Sequence, residues 1–330
     1  MPLPRIALLC CVLCVVPIRL PSQPLIVYFG DSITEGWIER ERRPGDAYPA
    51  RTDSILREDG TPFRSLHRGA GGETTDDALD RVDADVLAAA PSVVVIAFGS
   101  NDMYVWDDPP APRVPLARFR DNIRLLVEKV RGIGAQPLLL GLPPLIAGRF
   151  YAAGADSAQY IPYGGARDMR DRYDRCIRDV GREEGCAVLS LRDAFQNDSS
   201  LLGFDGVHPL PEGHARIASV LAPLLAEKLE RPSERPTALQ HCVWPNPFRA
   251  GHTSHCTIAF HVAGPRPVQI TIFDGRGRAL RKIVYYAFAK GNHFVPWDGH
   301  GDTGTPLPAG AYTLYVHGAD FAFQHSILLM

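Results

Sequence analysis

The sequence lacks the features that mark nucleic-acid-binding, membrane-spanning and repetitive proteins. Its 330 residues include 35 basic and 37 acidic side chains without a run of five lysines or arginines, which excludes a polyanion-binding charge pattern. After residue 22 no stretch reaches the about 18 apolar residues that a spanning helix needs. Internal repeats and low-complexity tracts are also missing. Apolar residues (45%) and charged residues (22%) are close to globular averages, so a folded chain of two domains is expected.

The first 22 residues differ in character from the rest of the chain. Arg5 precedes an unbroken apolar run over residues 6–16, which Pro17 and a short polar stretch follow. This pattern is typical of a signal peptide, and the run is too short to span a membrane. It predicts a secreted, periplasmic or cell-surface protein. Because the cysteines inside the run have no convincing lipidation context, a lipoprotein is the less favoured alternative.

Removal of this segment would leave four of the seven cysteines. An even number of cysteines in an exported protein suggests two bridges. Sequence proximity favours Cys176 with Cys186 and Cys242 with Cys256. The alternative is that these residues are free, buried thiols.

Residues 23–230 alternate short β-rich runs with longer amphipathic patterns, which predicts an α/β domain with a parallel sheet of five strands. The wholly apolar run over residues 93–98 is typical of a strand buried on both faces. The predicted strands cover residues 25–29, 63–67, 93–98, 137–140 and 187–191. The predicted helices cover residues 76–89, 116–131, 166–184 and 212–229.

The pattern changes after residue 230. Residues 231–238 are charged and contain proline, as expected for a linker. Residues 239–330 then show β-type alternation separated by glycine- and proline-rich turns, which predicts a small all-β sandwich. The predicted strands cover residues 257–262, 268–273, 279–286, 293–297 and 312–316.

Four polar motifs follow the carboxyl ends of predicted strands. They are Gly30-Asp31-Ser32, the glycine-rich residues 69–75, Gly99-Ser100-Asn101-Asp102, and Asp205-Gly206-Val207-His208. Ligands of open parallel sheets bind outside the carboxyl ends of the strands, so we expect these motifs to converge. Each motif alone is a weak signal, because it also fits an ordinary turn or helix cap. Their order and placement together predict one catalytic site.

The residue types suit a serine hydrolase. Ser32 is the candidate nucleophile, His208 the base, and Asp205 the group that orients the imidazole. The candidate oxyanion donors are the Ser32 N–H, the Gly72 N–H and the Asn101 amide. Since only a neutral imidazole accepts the serine proton, activity is expected to rise with pH. Neither a metal nor another cofactor is implied.

These motifs resemble the nucleophile, glycine, asparagine and histidine blocks of the SGNH hydrolases, also called GDSL esterases or lipases. The resemblance covers about residues 25–229. It implies a flavodoxin-like three-layer α/β/α fold and an acyl-enzyme on Ser32. His67 stands where many relatives have asparagine, which puts one supporting hydrogen bond in doubt. Residues 103–115 and 143–165 are expected to shape the substrate pocket, the second through Phe150, Tyr151, Tyr160 and Tyr163.

The C-terminal region resembles the Ig-like module of flagellar hook-capping proteins and of type IX secretion sorting domains. The motifs that carry this resemblance are Trp244–Phe248, residues 272–278, Trp297-Asp298-Gly299 and residues 309–312. It implies an accessory module without chemistry of its own, which contacts the cell surface or the export machinery. A zinc site formed by Cys242, His252, His255 and Cys256 matches no known finger spacing and is the less favoured interpretation.

The predicted function is therefore an exported serine esterase that hydrolyses small-molecule, lipid or glycan esters. It is either an acyl esterase or a lysophospholipase-like enzyme, and the alternatives are a polysaccharide deacetylase and a non-catalytic surface-binding protein on an inert hydrolase fold. All five candidate site residues precede residue 210. A chain that ends near Arg235 is therefore expected to keep its rate on a small soluble ester.

Overall fold

The computed structural model describes residues 23–105, 109–196, 198–230, 241–244, 246–248, 255–288, 291–319 and 321–330, without the side chain of residue 242. The predicted signal peptide (residues 1–22), the predicted linker (residues 231–238) and His252 lie outside the described residues. No described helix is long and apolar enough to cross a membrane.

The first domain is built on a parallel sheet of five strands in the order β4-β1-β5-β6-β7. The central strands β1 and β5 are the most apolar because helices cover both of their faces. A two-stranded hairpin, β2–β3, projects after β1. The strands are β1 (Leu25–Gly30), β2 (Trp37–Ile38), β3 (Glu41–Arg42), β4 (Arg64–Gly69), β5 (Val93–Ala97), β6 (Gln136–Leu140) and β7 (Ala187–Leu189).

Helices lie on both faces of this sheet, and each face has its own apolar core. Helices α3, α4 and α7 cover one face, while α2, α8 and α9 cover the other. The predicted three-layer α/β/α fold is confirmed. The helices are α1 (Ser32–Glu35), α2 (Tyr48–Glu58), α3 (Thr75–Asp85), α4 (Leu116–Gly132), α5 (Ala147–Ala152), α6 (Ser157–Tyr160), α7 (Ala166–Glu183), α8 (Leu191–Phe195) and α9 (Pro211–Glu230).

The second domain consists of two antiparallel sheets, in the orders β11-β10-β13-β14 and β12-β9-β8. Their inner faces enclose a separate apolar core around Trp297 and Phe260. This arrangement confirms the predicted all-β sandwich, and it includes two strands, β8 and β14, that the sequence pattern did not reveal. The strands are β8 (His241–Trp244), β9 (Cys256–Val262), β10 (Arg266–Phe273), β11 (Ala279–Ala287), β12 (Gly291–Trp297), β13 (Gly310–His317) and β14 (Ala322–Leu329).

The two domains share a polar contact that is buried between α3, α4 and β9. Lys129 is 3% exposed. Its Nζ lies 2.9 Å from Asp83 Oδ1 and 3.0 Å from Thr257 Oγ1, and it stands 5.5 Å from the centre of the Trp244 ring. Helices α3 and α4 run antiparallel to the strands, so their carboxyl ends lie at the same end of the domain as the amino ends of the strands. The β-sandwich therefore packs against the end of the first domain that is opposite to the four motifs.

The predicted disulfides are wrong. Cys176, Cys186 and Cys256 are free thiols. Cys176 lies on the buried face of α7, about two turns before that helix ends, whereas the Cys186 thiol donates to the Pro137 carbonyl of β6. The strand register pairs Cys242 with Ala259, which is three residues along β9 from Cys256. The Cα atoms of Cys242 and Cys256 are therefore farther apart than the about 7 Å that a disulfide allows.

Candidate active site

The structure brings Ser32, His208 and Asp205 together beyond the carboxyl ends of the strands. Ser32 Oγ lies 2.9 Å from His208 Nε2, and His208 Nδ1 lies 2.7 Å from Asp205 Oδ2. Ser32 is nearly buried at 9% exposure, while the imidazole of His208 remains partly open to solvent. The three side chains therefore form a continuous hydrogen-bonded series from a hydroxyl to a carboxylate.

The turn that carries Asp205 and His208 is held by its own backbone. Asp205 Oδ1 accepts hydrogen bonds from the Val207 N–H (2.9 Å) and the His208 N–H (3.0 Å). Gly206 has φ +70°, and a Cβ at this position would lie 2.6 Å from the carbonyl oxygen of Ile146. Only glycine therefore fits this turn, which is packed against the loop after β6.

Ser32 is the first residue of the short helix α1, so its N–H has no acceptor within the helix. Asp31 caps this helix, and its Oδ1 accepts from the Ile33 N–H at 3.0 Å. A Cβ on Gly30 would lie 2.1 Å from Thr34 Oγ1 and 2.7 Å from the Ala97 carbonyl oxygen. The Gly30-Asp31-Ser32 motif therefore satisfies a steric requirement and a capping requirement at one sharp turn.

The two other candidate donors lie on neighbouring loops. Gly72 has φ +78°, and no described atom lies within 4 Å of the place where its Cβ would be. Its carbonyl accepts from Arg113 Nη1 at 2.7 Å. Asn101 Nδ2 donates to the Glu73 carbonyl at 2.9 Å, which ties the asparagine loop to the glycine loop and leaves the second N–H of the amide.

The asparagine loop is supported from behind by Asp102. This buried side chain accepts from the N–H and the hydroxyl of Thr75, at 2.9 and 2.5 Å. Asn122 of α4 in turn donates to Thr75 Oγ1 at 2.9 Å. Burial raises the pKa of Asp102 to about 6, against the opposing effect of the Thr75 hydrogen bonds. The motif therefore contains one candidate oxyanion donor, Asn101, and one buried support, Asp102.

Sequence reasoning missed three charged residues that surround the glycine loop. Arg113 contacts the carbonyl of Gly72, and Glu35 accepts from the Gly71 N–H. Arg81 donates to the carbonyl of Gly30 and to that of Arg68. The available signal was the position of Glu35, one helical turn after Ser32, whereas the arginines come from other elements and carry no local signature.

Two carboxyl groups near the nucleophile have opposite pKa shifts. Burial raises the pKa of Asp205, but the hydrogen bond and charge of His208 and two backbone N–H groups outweigh it, so this pKa lies below its ordinary value. Asp205 is therefore ionised when it faces the imidazole. For Asp31, burial dominates over the Ile33 N–H and the His208 charge and raises the pKa to about 7.

We expect Asp31 to make stability depend on pH. Its pKa is 3.8 in the unfolded chain and about 7 in the fold, so the folded state holds a proton that the unfolded state releases between those values. The free energy of unfolding therefore falls as pH rises through this window, by up to about 4 kcal/mol. Asp31→Asn keeps an acceptor for Ile33 and should become increasingly more stable than wild type between pH 4.5 and 8 in urea unfolding.

Asp59→Asn, at the exposed end of α2, is the control for the loss of one carboxylate. A stability difference between Asp31→Asn and wild type that stays constant between pH 4.5 and 8 would contradict the assignment.

His67 lies at the edge of the sheet rather than in the hydrogen-bonded series. Its Nε2 is 3.0 Å from Asp53 Oδ2, which also accepts from Ser65 at 2.5 Å. Tyr28 donates to the other oxygen of Asp53 at 3.0 Å. His67 therefore belongs to a polar cluster that joins α2 to β4 and β1.

The predicted pocket loops contact each other, but two of their aromatic side chains do not line a pocket. Phe150 (6% exposed) and Tyr160 (0% exposed) are part of the core. The Tyr160 hydroxyl accepts from the Val105 N–H at 3.0 Å. Tyr163 donates to the Pro110 carbonyl at 2.8 Å, so these tyrosines connect the loop after β6 to the loop after β5.

In the part of the chain that the structure describes, no group of three or more histidine, cysteine, aspartate or glutamate side chains could hold a metal ion. Of the four residues considered for zinc, Cys256 is buried in the second core and His255 Nε2 lies 3.8 Å from Asp83 Oδ2.

A three-layer α/β/α domain with serine, histidine and aspartate in hydrogen-bonded series at the carboxyl edge of its sheet is typical of serine hydrolases. The chain belongs to the GDSL-like lipase/acylhydrolase family, whose sequence pattern matches residues 28–216. Residues 248–320 match the FlgD Ig-like domain.

Several relatives match the first domain. The chain is 36% identical over 217 residues to the uncharacterized lipoprotein YqeF of Bacillus subtilis, covering 58% of this chain and 85% of that protein. It is 29% identical over 219 residues to the isoamyl acetate-hydrolyzing esterase 1 homolog of Bos taurus (62% and 83% covered). It is 25% identical over 216 residues to an acetylxylan esterase of Geobacillus stearothermophilus (61% and 93% covered). The lipase/acylhydrolase structure from Enterococcus faecalis has a TM-score of 0.51 at 23% identity, covering 66% of this chain and all of that one, and shares the fold.

Proposed function

We propose that the protein is an exported serine esterase that removes short acyl groups, acetyl above all, from esters. The observation that carries this proposal is the series Ser32–His208–Asp205, with contacts of 2.9 and 2.7 Å. It provides a nucleophile, a base within hydrogen-bond distance and an ionised group that orients the base.

In the first half of the reaction, His208 Nε2 takes the Ser32 proton while Ser32 Oγ attacks the ester carbonyl. Asp205 holds the Nδ1–H and stabilises the imidazolium that forms. The tetrahedral oxyanion accepts from the Ser32 N–H, the Gly72 N–H and the free N–H of Asn101. When the intermediate collapses, the bond to the alkoxy group breaks and His208 gives its proton to the departing alcohol.

In the second half, water replaces the alcohol. His208 removes a proton from the water, and the hydroxide attacks the acyl carbonyl on Ser32. The same three donors stabilise the second oxyanion, and its collapse releases the carboxylic acid as Ser32 recovers its proton. Each group thus returns to its starting state.

Two observations favour a short acyl group over a long one. Phe150 and Tyr160 are aromatic side chains that could have lined a pocket for a long acyl chain, but both are buried in the core. Two relatives are named for their substrates, an isoamyl acetate-hydrolyzing esterase homolog and an acetylxylan esterase, and the acyl group in both names is acetyl. The second of these names supports a further candidate, the deacetylation of an acetylated glycan.

We place the hydrolase domain at residues 23–230, a linker at residues 231–238 and an accessory binding module at residues 239–330. The pattern of residues 1–22 supports export, and a relative named as a lipoprotein is consistent with a location outside the cytoplasm. The module would hold the enzyme near a large substrate or surface, which raises the local concentration of ester groups.

A panel of p-nitrophenyl esters from acetate to palmitate, run beside acetylated xylan and a lysophospholipid, tests the acyl preference. We expect kcat/KM to be highest for acetate and to fall by about 100-fold or more by palmitate, because each misfit methylene costs up to a few kcal/mol. Release of acetate from xylan would support the glycan candidate. A maximum at long chains, or release of fatty acid from lysophospholipid alone, would contradict the short-acyl assignment.

A further inference from the structure

Glu35 is the last residue of α1 and lies one turn after Ser32 on the same helix. The Glu35 N–H donates to the Asp31 carbonyl at 3.0 Å, and the Gly36 N–H donates to the Ser32 carbonyl at 2.9 Å. The backbone of Glu35 is therefore fixed relative to the nucleophile. Its side chain is 16% exposed and reaches away from the helix toward the glycine loop.

The carboxylate of Glu35 has three partners. Oε2 accepts from the Gly71 N–H at 2.7 Å and from Trp37 Nε1 at 2.8 Å, and Oε1 lies 2.9 Å from Arg42 Nε. Trp37 and Arg42 are opposite each other in the β2–β3 hairpin. The hairpin thus orients the carboxylate, and the positive charge of Arg42 offsets an anion that would otherwise oppose a developing oxyanion.

The contact with Gly71 matters because the next residue is Gly72. Two consecutive glycines have the greatest backbone freedom of any pair, so the direction of the Gly72 N–H needs external support. Glu35 holds the peptide before Gly71, and Arg113 holds the peptide after Gly72 through the carbonyl at 2.7 Å. The peptide between them, which carries the Gly72 N–H, is fixed from both sides.

We propose that Glu35 is a positioning residue that directs the Gly72 N–H at the oxyanion through its hydrogen bond to the Gly71 N–H. This inference rests on the proposed function of the site. The property that matters is the reach of an acceptor oxygen rather than its charge. Because the oxyanion develops only in the transition state, the contribution of Glu35 is made there and not in substrate binding.

Three substitutions separate reach from charge. Glu35→Ala removes the acceptor, Glu35→Asp keeps the charge on a side chain one methylene shorter, and Glu35→Gln keeps the reach without the charge. We expect kcat for p-nitrophenyl acetate to fall by about 10- to 100-fold in the alanine and aspartate variants, with KM within about threefold of wild type. The glutamine variant should retain most of kcat. Glu41→Ala, on the exposed strand of the same hairpin, is the matched control.

Two further measurements keep the test decisive. Hydrogen exchange of the peptide over residues 69–75 should be faster in the alanine and aspartate variants than in wild type, whether or not the assay ester is a good substrate. The pH profile of kcat should keep its midpoint, since the Ser32–His208–Asp205 series is untouched. Ser32→Ala, assayed in parallel, decides the proposed function separately.

The proposal is overturned if Glu35→Ala or Glu35→Asp keeps kcat within threefold of wild type. It is also overturned if the loss lies in KM, if the glutamine variant loses as much kcat as alanine, or if exchange over residues 69–75 is unchanged. Turnover by a folded Ser32→Ala variant would instead refute the proposed function.

Discussion

Replacing Ser32 with alanine is expected to lower kcat for p-nitrophenyl acetate by about 10⁴-fold or more, because no other hydroxyl of the described residues hydrogen-bonds to His208. Loss of one member of a serine–histidine–aspartate series removes nearly all of the rate enhancement that the three residues provide together. Only substrate binding and the oxyanion donors then contribute to the rate. The protein should stay folded, since only one oxygen of a 9% exposed side chain is lost. Steady-state kinetics and the thermal midpoint measure the two effects.

Ser54→Ala, on the exposed face of α2, is the matched serine control and should leave kcat unchanged. A fluorophosphonate should add its mass to the peptide that contains Ser32 in wild type and in Ser54→Ala, but not in Ser32→Ala. Substantial turnover by a folded Ser32→Ala protein would assign the chemistry to another residue.

Removing the β-sandwich, by ending the chain at Arg235, is expected to preserve the rate but to lower stability. The rate on p-nitrophenyl acetate should stay within about threefold of wild type, because the module packs at the end of the sheet opposite to Ser32. Stability should fall because Lys129 loses Thr257 and the Trp244 ring, and apolar residues of α4 become exposed. A loss of about 2–4 kcal/mol corresponds to a fall in thermal midpoint of roughly 5–10 °C.

Lys129→Met provides the internal check. In the full chain this substitution removes the ammonium that pairs with Asp83 at the buried interface, and it should lower the free energy of unfolding by about 2–4 kcal/mol. In the truncated chain both residues face water, so the loss should be below about 1 kcal/mol. Equal costs in the two chains would show that the buried contact does not couple the domains. Loss of nearly all activity in a folded truncated chain would mean that the module contributes to the site.

Prediction from the sequence worked where burial imposes a simple pattern. Strands β1 and β5 are buried on both faces, so their apolar runs mark them almost to the residue. The pattern failed for α2, a helix that begins with Tyr48 and Pro49 and has two polar residues, Thr52 and Asp53, on its buried face. Asp53 is one of these, and its partners are Tyr28, Ser65 and His67. A polar core position carries no hydrophobic periodicity, so only its tertiary partners explain it.

The cysteines and the aromatic loop residues show the same limit. An even number of cysteines in an exported chain suggests bridges, yet register and helix position decide whether two sulfur atoms can meet. The sequence pattern predicts that Phe150 and Tyr160 line a pocket, but their loop packs against the loop after β5, which buries both side chains. Composition indicates which side chains are present, and packing decides which way they face.

The sequence by itself determined the five strands of the parallel sheet, the family and the candidate series Ser32, Asp205 and His208, because sharp turns and a nucleophile, base and orienting group require particular residue types at particular places. Only the tertiary structure decided how the backbone of the candidate oxyanion donors is held. Glu35 and Arg113 lie outside the four motifs, and they act on the Gly71–Gly72 backbone across the sheet edge. The docking of the β-sandwich through Lys129 and Thr257 was likewise undetermined, since these residues are 128 positions apart and meet only when both domains are folded.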